Sequence, residues 1–414
     1  MDKKTMFIFL LVIFSLKFFD ASVANTGILK NISFGYMFVA IVISLPFLFK
    51  SSGGFVLPIQ LICISMVVSI FMARFTWDQG FEYSPSTIPY AIWFVFFFLL
   101  KLNIPIKTIE NIVLIYGLIY IVLFIFQFTH NNVVYFGTRE LVQDRGIIRI
   151  VFPGSGVFFL SCFIAINKVT STDKYRYLWL LYALLGIVII VLQVTRQAIV
   201  VMLLFYLIHF LKNVKLIYKI ATIAFFVLAG YVFLNSGTSI SKGLIEQQKE
   251  DASAGGNYVR IVEAEYYLTQ FTPNTISKIL GNGMYNDNSK YGKVIVNLEE
   301  NYWYFLSDVG LVEVYVLFGI FAILGYLLIF VKSLTIPLPE NYYYLKYYLW
   351  MIMLTSFTSD SIISYNFLIT TVLVLYCYQR ILEHELLRNK LILESINYPS
   401  EKITHLHFTQ ESSN

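Results

Sequence analysis

Charge is what this 414-residue sequence has least of. Only 13% of its residues are Asp, Glu, Lys or Arg, 58% are hydrophobic, and mean hydropathy is +0.70. A soluble domain carries about 25% charged residues, so the deficit excludes an ordinary solvated fold and predicts an all-α polytopic membrane protein. Cysteine is scarce as well. Cys63, Cys162 and Cys377 all lie in apolar runs, as small buried hydrophobes do, and not in the spacing of disulfides or metal ligands. The five histidines form neither HxxxH nor HExxH, so no metal and no cofactor is expected. An internal repeat is also missing, which argues against a transporter built from two similar halves.

Long apolar runs are what the sequence has instead. They fall near 5–19, 33–49, 55–73, 87–102, 108–129, 147–167, 177–193, 197–211, 216–234, 310–331, 343–358 and 362–379. The expected organisation is therefore about twelve transmembrane helices, nine within 1–234 and three within 302–380. A large extracytoplasmic loop with short helices, 235–301, separates them, and a cytoplasmic tail, 381–414, follows. In that tail "ILEHELLRNKLILE" is expected as a short helix near the membrane, followed by disorder. Ser22-Val23-Ala24 resembles a signal cleavage site, but Lys17 and the bulky Phe18-Phe19 argue against cleavage.

The stretch "GIVIIVLQVTRQAIVVMLLFYLI" (186–208) poses the sharpest local question, because its one charge is Arg196. As one helix the run 177–211 would be roughly 50 Å long, against a bilayer core of about 30 Å. Two helices with a turn at Gln193–Gln197 fit, and they place Arg196 at a membrane face. The N-terminal MDKK sets that terminus inside by the excess of basic residues on the cytoplasmic side. Lys4, Lys101, Lys107, Lys168, Lys212 and Lys332 then collect inside, together with the C-terminus. Arg74, Arg139, Arg145, Arg149, Arg196 and Arg260 lie outside or just within the outer boundary. Lysine needs only hydration beside anionic lipid, whereas the arginine fork grips phosphate or carboxylate with two hydrogen bonds. The arginines therefore predict an outward-facing anion site.

In the large loop, "AGGNYVRIVEAEYYLTQF" (254–271) predicts a helix capped by Asn257, with Tyr258 and Arg260 at its start and Glu263 on the same face. "ILGNGMY" (279–285) is a turn whose Gly281 and Gly283 let backbone approach closely. "EENYWYFLSDVGLVEVYVLFGIF" (299–321) runs back into the membrane through an aromatic belt at Tyr302, Trp303 and Tyr304. Glu313, some residues into that span, is either functional or a structural partner of Arg149.

Taken in order, "RGIIRIVFPGSG" (145–156), "TRQAIVV" (195–201), "NYVRIVEAEYYL" (257–268), "ILGNGMY" and "ENYWYFLSDVGLVEVYVLFG" (300–319) resemble the O-antigen polymerase and ligase superfamily, the Wzy-type polymerases of bacterial polysaccharide assembly. The resemblance implies a membrane glycosyltransferase of the lipid-linked donor class, metal-independent, in the cytoplasmic (inner) membrane. A polymerase of this kind transfers a growing glycan from undecaprenyl pyrophosphate to a new lipid-linked repeat unit, for O-antigen or capsule. Its implied partners are the undecaprenyl-pyrophosphate-linked oligosaccharide, membrane lipid, and a chain-length regulator and flippase of the same pathway, with no nucleic acid.

On this reading Arg196 and Arg260 stabilise the pyrophosphate leaving group, with Arg145 or Arg149 completing the clamp. Glu300 is the expected general base, ahead of Asp308, Glu263 and Glu313. Asn257, Tyr258, Gly281, Gly283, Asn301, Tyr302 and Asp308 complete the expected substrate site. Ligases and many other members carry a His-Asn pair where the large loop re-enters the membrane. Glu300-Asn301 stand there in this chain, which favours polymerase over ligase. The alternatives are an O-antigen ligase and a lipid-linked oligosaccharide flippase.

Overall fold

The computed structural model describes residues 2–16, 26–49, 53–130, 132–136, 138–142, 147–171, 174–193, 195–212, 215–238, 241–242, 245, 249 and 258–397. The described residues are mostly helical. In chain order come α1 (Lys3–Leu16), α2 (Thr26–Ser44), α3 (Val56–Trp77), α4 (Val95–Leu102, preceded by the 3-10 stretch Phe81–Phe94), α5 (Ile106–Thr129), α6 (Ser155–Ser171), α7 (Arg176–Leu192), α8 (Arg196–Leu211) and α9 (Leu216–Leu234). Short helices α10 (Val259–Thr269), α11 (Thr275–Leu280) and α12 (Lys290–Tyr302) come next. They are followed by α13 (Leu311–Thr335), α14 (Tyr343–Thr355) and α15 (Tyr365–Asn397).

Among the described residues four helical stretches are long and apolar enough to cross a membrane: Val56–Trp77, Phe81–Leu102, Ile106–Thr129 and Leu311–Thr335. Several other apolar helices are shorter, α6, α7 and α8 among them. The run 177–211 divides into α7 and α8 around Gln193–Thr195, and Arg196 is the first residue of α8.

Two sequence expectations need correction. Residues 147–151 begin the expected segment 147–167 as a strand, not a helix. Ile147–Val151 pairs antiparallel with Thr138–Val142, with Arg149 opposite Glu140. β-Branched Ile and Val favour an extended chain, and α6 starts only after Pro153 and Gly154, the latter at φ 86°. In addition, the tail does not start a separate helix at 381. Tyr365–Asn397 is continuous through Arg380, as the helix formers Leu382, Glu383, Glu385, Leu386 and Leu387 allow. Residues 398–414 lie outside the described residues.

At one end of the bundle Lys4 Nζ meets the Leu102 carbonyl at 3.5 Å, Lys212 pairs with Glu340 at 2.6 Å, and Lys168 lies 3.9 Å from Glu110. Gln379 accepts from the Phe55 amide and donates to the Gly53 carbonyl, tying α15 to the start of α3. The opposite end carries the loop helices α10–α12.

The loop helices are fastened to the bundle by a break in α13. Gly319 adopts φ 75° and ψ −173°, so the helical ladder is interrupted there. The turn after α11 fills the gap: the Asn282 amide donates to the Val316 carbonyl at 2.7 Å, and the Gly283 amide to the Leu317 carbonyl at 2.9 Å. Carbonyls that would otherwise be stranded in an apolar interior are thereby satisfied. Asn282 also accepts from Trp77 Nε1 at 3.1 Å, and Trp77 stacks on Tyr291 with ring centroids 4.9 Å apart. Gln79, just past α3, donates to the Met284 carbonyl and accepts from Asn286 and Ser289. Residues 282–291 are thus packed against the bundle.

Candidate functional site

At the loop end a cavity of about 830 Å³ opens between α6, α8, α14, α15 and the segment leading into α13. Ser155, Arg196 and Tyr365 all line it, and each is the first residue of its helix. Three helix N-termini therefore converge on one space. Each presents amide N–H groups without intrahelical partners and the positive end of a helix dipole. Arg196 and Arg260 add two guanidinium groups to the same cavity. Helix N-termini and guanidinium groups together can hold an anion, and Asp308 and Asp360 line the same cavity.

Local anchors fix these groups. Gln197 donates from Nε2 to the Leu354 and Thr355 carbonyls, at 3.2 and 3.0 Å, which holds the start of α8 against the end of α14. The Gly154 amide donates to Asn366 Oδ1 at 3.2 Å, holding the starts of α6 and α15 together. Arg260 is positioned by α10, whose inner face buries Glu263 and Tyr267. Its Nη2 lies 3.3 Å from Asp308 Oδ2 and its Nη1 donates to the Thr358 carbonyl at 3.3 Å.

Two carboxyl groups near the arginines are perturbed. Asp360, in the link between α14 and α15, lines the cavity. Burial lifts its carboxyl to about 6; nearby Asp308 pushes the same way, and a hydrogen bond from Ser364 opposes. Glu263 is 1% exposed, and among the described residues its Oε1 has no hydrogen-bond partner. Burial lifts it to about 8, with Asp308 adding to the rise, while Arg260 and the Phe305 backbone counteract it.

A second cavity of about 660 Å³ lies beside the first. Arg260, Asp308 and Thr358 line both, so they form the partition between them. Beyond the partition the lining is largely apolar, with Ile261, Ala264, Leu268, Val309, Val312 and Phe357; Tyr258, Glu265 and Thr269 also contribute.

The structure brings together Arg196, Arg260 and Asp308 of the sequence-derived site, and Tyr258 lines the second cavity. Glu300 is elsewhere. It stands exposed near the end of α12 and lines neither cavity. Asn301, one residue on, is exposed and donates to Asn297 at 2.6 Å, and Tyr302 is exposed. The reason is the geometry of α12: it buries Tyr291, Ile295 and Leu298, which puts Glu300 on the opposite side of the helix, while Asn301 and Tyr302 end its last turn. Gly281 and Gly283 line neither cavity either. A Cβ on Gly281 would lie 2.6 Å from the Gly319 nitrogen, and one on Gly283 would lie 2.2 Å from the Ser69 carbonyl, so these glycines serve packing. Arg260 pairs with Asp308. Glu313 is buried on α13 and lines neither cavity. Arg145 and Asn257 lie outside the described residues, and Arg149 is described only as part of its strand.

Sequence reasoning missed Asp360. The stretch "TSFTSDSIISYN" (355–366) overlaps the expected segments 343–358 and 362–379, which leave only 359–361 between them. Its signal was the density of Ser, Thr and Asp where a plain turn needs few polar groups. No family model, no curated protein and no solved structure gives a significant match to this chain.

Proposed function

We propose that this protein is a polysaccharide polymerase of the bacterial cytoplasmic membrane, with about twelve spans, both termini inside and the cavity facing outward. It transfers a growing glycan from an undecaprenyl pyrophosphate carrier to a hydroxyl of a new lipid-linked repeat unit. The observation that carries this reading is the convergence of Arg196, Arg260 and three helix N-termini on one cavity, with an acidic residue poised near neutrality beside them. The family resemblance of the sequence motifs supplies the substrate class.

In the reaction the bond between the sugar anomeric carbon and the pyrophosphate oxygen breaks, and a bond to the acceptor hydroxyl oxygen forms. Negative charge grows on the departing pyrophosphate. Fixed guanidinium groups and helix dipoles stabilise that charge more in the transition state than in the ground state. The acceptor hydroxyl must lose its proton, and Asp360 takes it. A carboxylate titrating near 6 is largely ionised at neutral pH yet basic enough to accept a proton. Asp360 therefore replaces Glu300 as the base.

Deletion of the gene and examination of surface polysaccharide on a gel test the reading. Glycan capped with a single repeat unit, with the ladder restored by wild type and not by Arg196→Ala at equal protein level, is the expected result. Loss of all surface glycan with long lipid-linked polymer accumulating would indicate a ligase. Single units trapped inside would indicate a flippase.

A further inference from the structure

Glu263 takes no part in the reaction described above, yet it is a buried carboxyl one helical turn past Arg260 on α10. Among the described residues its Oε1 has no hydrogen-bond partner. The groups that bear on it come from α10, α12 and the segment into α13. Arg260 and the Phe305 amide favour its ionised form, whereas Asp308 and Glu299 oppose it, as burial does. Tyr267, one turn further along α10, donates its hydroxyl to the Tyr304 carbonyl at 3.3 Å instead. Arg260 is the only basic group in this set. Its side chain is 36% exposed and held by two contacts of 3.3 Å, to Asp308 Oδ2 and to the Thr358 carbonyl. Side chains at i and i+3 of a helix are neighbours, so Arg260 can turn from the cavity to Glu263. A buried carboxylate without a partner is costly, and an ionised Glu263 therefore competes for that guanidinium.

We propose that Glu263 is a positioning residue for Arg260: while it holds its proton the guanidinium stays at the cavity to receive pyrophosphate, and when it ionises it draws the guanidinium away and weakens the anion site. The inference rests on the function proposed above and names a regulation of that same site. The coupling runs both ways. A pyrophosphate on Arg260 brings like charge close to Glu263, which favours the neutral carboxyl, so anion binding under alkaline conditions takes up a proton. Because Glu263 titrates near 8, the site is at full strength at neutral pH and weakens as pH rises through that value. Asp360, which lines the same cavity, titrates near 6, so its own linkage to the anion has faded by then.

The probe is dimethyl pyrophosphate esterified on both phosphates, as the proposed donor is, because no group on it titrates between pH 7 and 9. Its binding to the purified full-length protein is measured by calorimetry across that range. Wild-type affinity falls about three- to tenfold from pH 7 to pH 9. Heats in two buffers of different ionisation enthalpy show net proton uptake on binding at pH 9. Glu263→Gln, which is neutral throughout, binds within about threefold of wild type at pH 7. It varies by no more than about twofold up to pH 9 and takes up no proton there. Proton uptake by wild type needs no variant, so it decides the matter even where Glu263→Gln folds poorly. Wild-type binding that is flat with pH and takes up no proton, or a fall equally steep in Glu263→Gln, would overturn the inference and leave the proposed function standing. Failure of wild type to bind the diester at pH 7 would instead remove the anion site, and the proposed function with it.

Discussion

Arg260 and Asp308, forty-eight residues apart in sequence, meet at 3.3 Å and together separate a polar cavity from an apolar one. The contact joins the first turn of a loop helix to the segment that leads into a membrane helix. The Arg260 guanidinium lines both cavities, and Arg196 lines the larger one. The account of function turns on these two arginines.

Removing either guanidinium should therefore slow polymerisation more than it weakens folding. Arg196→Ala and Arg260→Ala are each expected to lower kcat by about 100- to 1000-fold, the usual consequence of losing one donor to a developing oxyanion. Arg260→Lys should recover only a small part of this, because an ammonium cannot reproduce the paired fork on a phosphate. Rates with purified protein, alongside melting temperatures close to that of wild type, check this.

The base assignment has a pH signature. With Asp360 titrating near 6, its carboxylate form is lost as pH falls through that value, so kcat/KM should fall about tenfold per pH unit below it. Asp360→Asn should lower the rate by about 100- to 10,000-fold and remove that acid limb. Glu300→Gln should keep activity within about twofold of wild type, since its side chain lies on the exposed face of α12. Full retention of the acid limb in Asp360→Asn would return the base to another residue.

Glu263 gives a stability prediction of defined sign. Its ordinary value is 4.5 and its value in the folded chain is about 8. Between those values the unfolded chain has released the proton and the folded chain still holds it. Stability contributed by this group is complete below about 4.5 and is lost as pH rises toward 8, by about 1.4 kcal/mol per pH unit. Glu263→Gln removes that slope, so its melting temperature relative to wild type should rise between pH 5 and 8. Parallel melting curves at several pH values would contradict the account.

The break in α13 makes a fourth prediction. A Cβ on Gly319 would lie 2.4 Å from the Ile279 carbonyl, at a φ of 75° that side chains other than glycine rarely adopt. Gly319→Ala should cost about 1–3 kcal/mol and loosen the packing of residues 282–291 against the bundle. Limited proteolysis within 281–302 should accelerate in that variant, whereas Gly35→Ala, where added bulk meets nothing within 4 Å, should behave as wild type.

Much of this arrangement is visible in the sequence because hydropathy and charge act locally. The split of 177–211 follows from length alone, and it puts Arg196 at a helix start. The choice of Arg260 follows from a lone arginine in the first turn of an amphipathic loop helix. What stays hidden depends on long-range packing. Nothing local distinguishes Glu300 from Asp308, because only the buried face of α12, set by Tyr291, Ile295 and Leu298, decides that residue 300 points away from the cavity. Asp360 escapes notice for the same reason: the cavity it lines is built by helices drawn from distant parts of the chain. The glycines of "ILGNGMY" announce a close approach, but not that the partner is a second glycine inside a membrane helix.

The most direct test of the central claim is reconstitution. Purified protein in liposomes, supplied only with undecaprenyl-pyrophosphate-linked repeat units, should build a ladder of lipid-linked oligomers and release undecaprenyl pyrophosphate in equal number to the bonds formed. Arg196→Ala protein at the same density should leave the units single. No oligomers with wild-type protein and intact donor, or a ladder of equal length and rate with Arg196→Ala, would contradict the account.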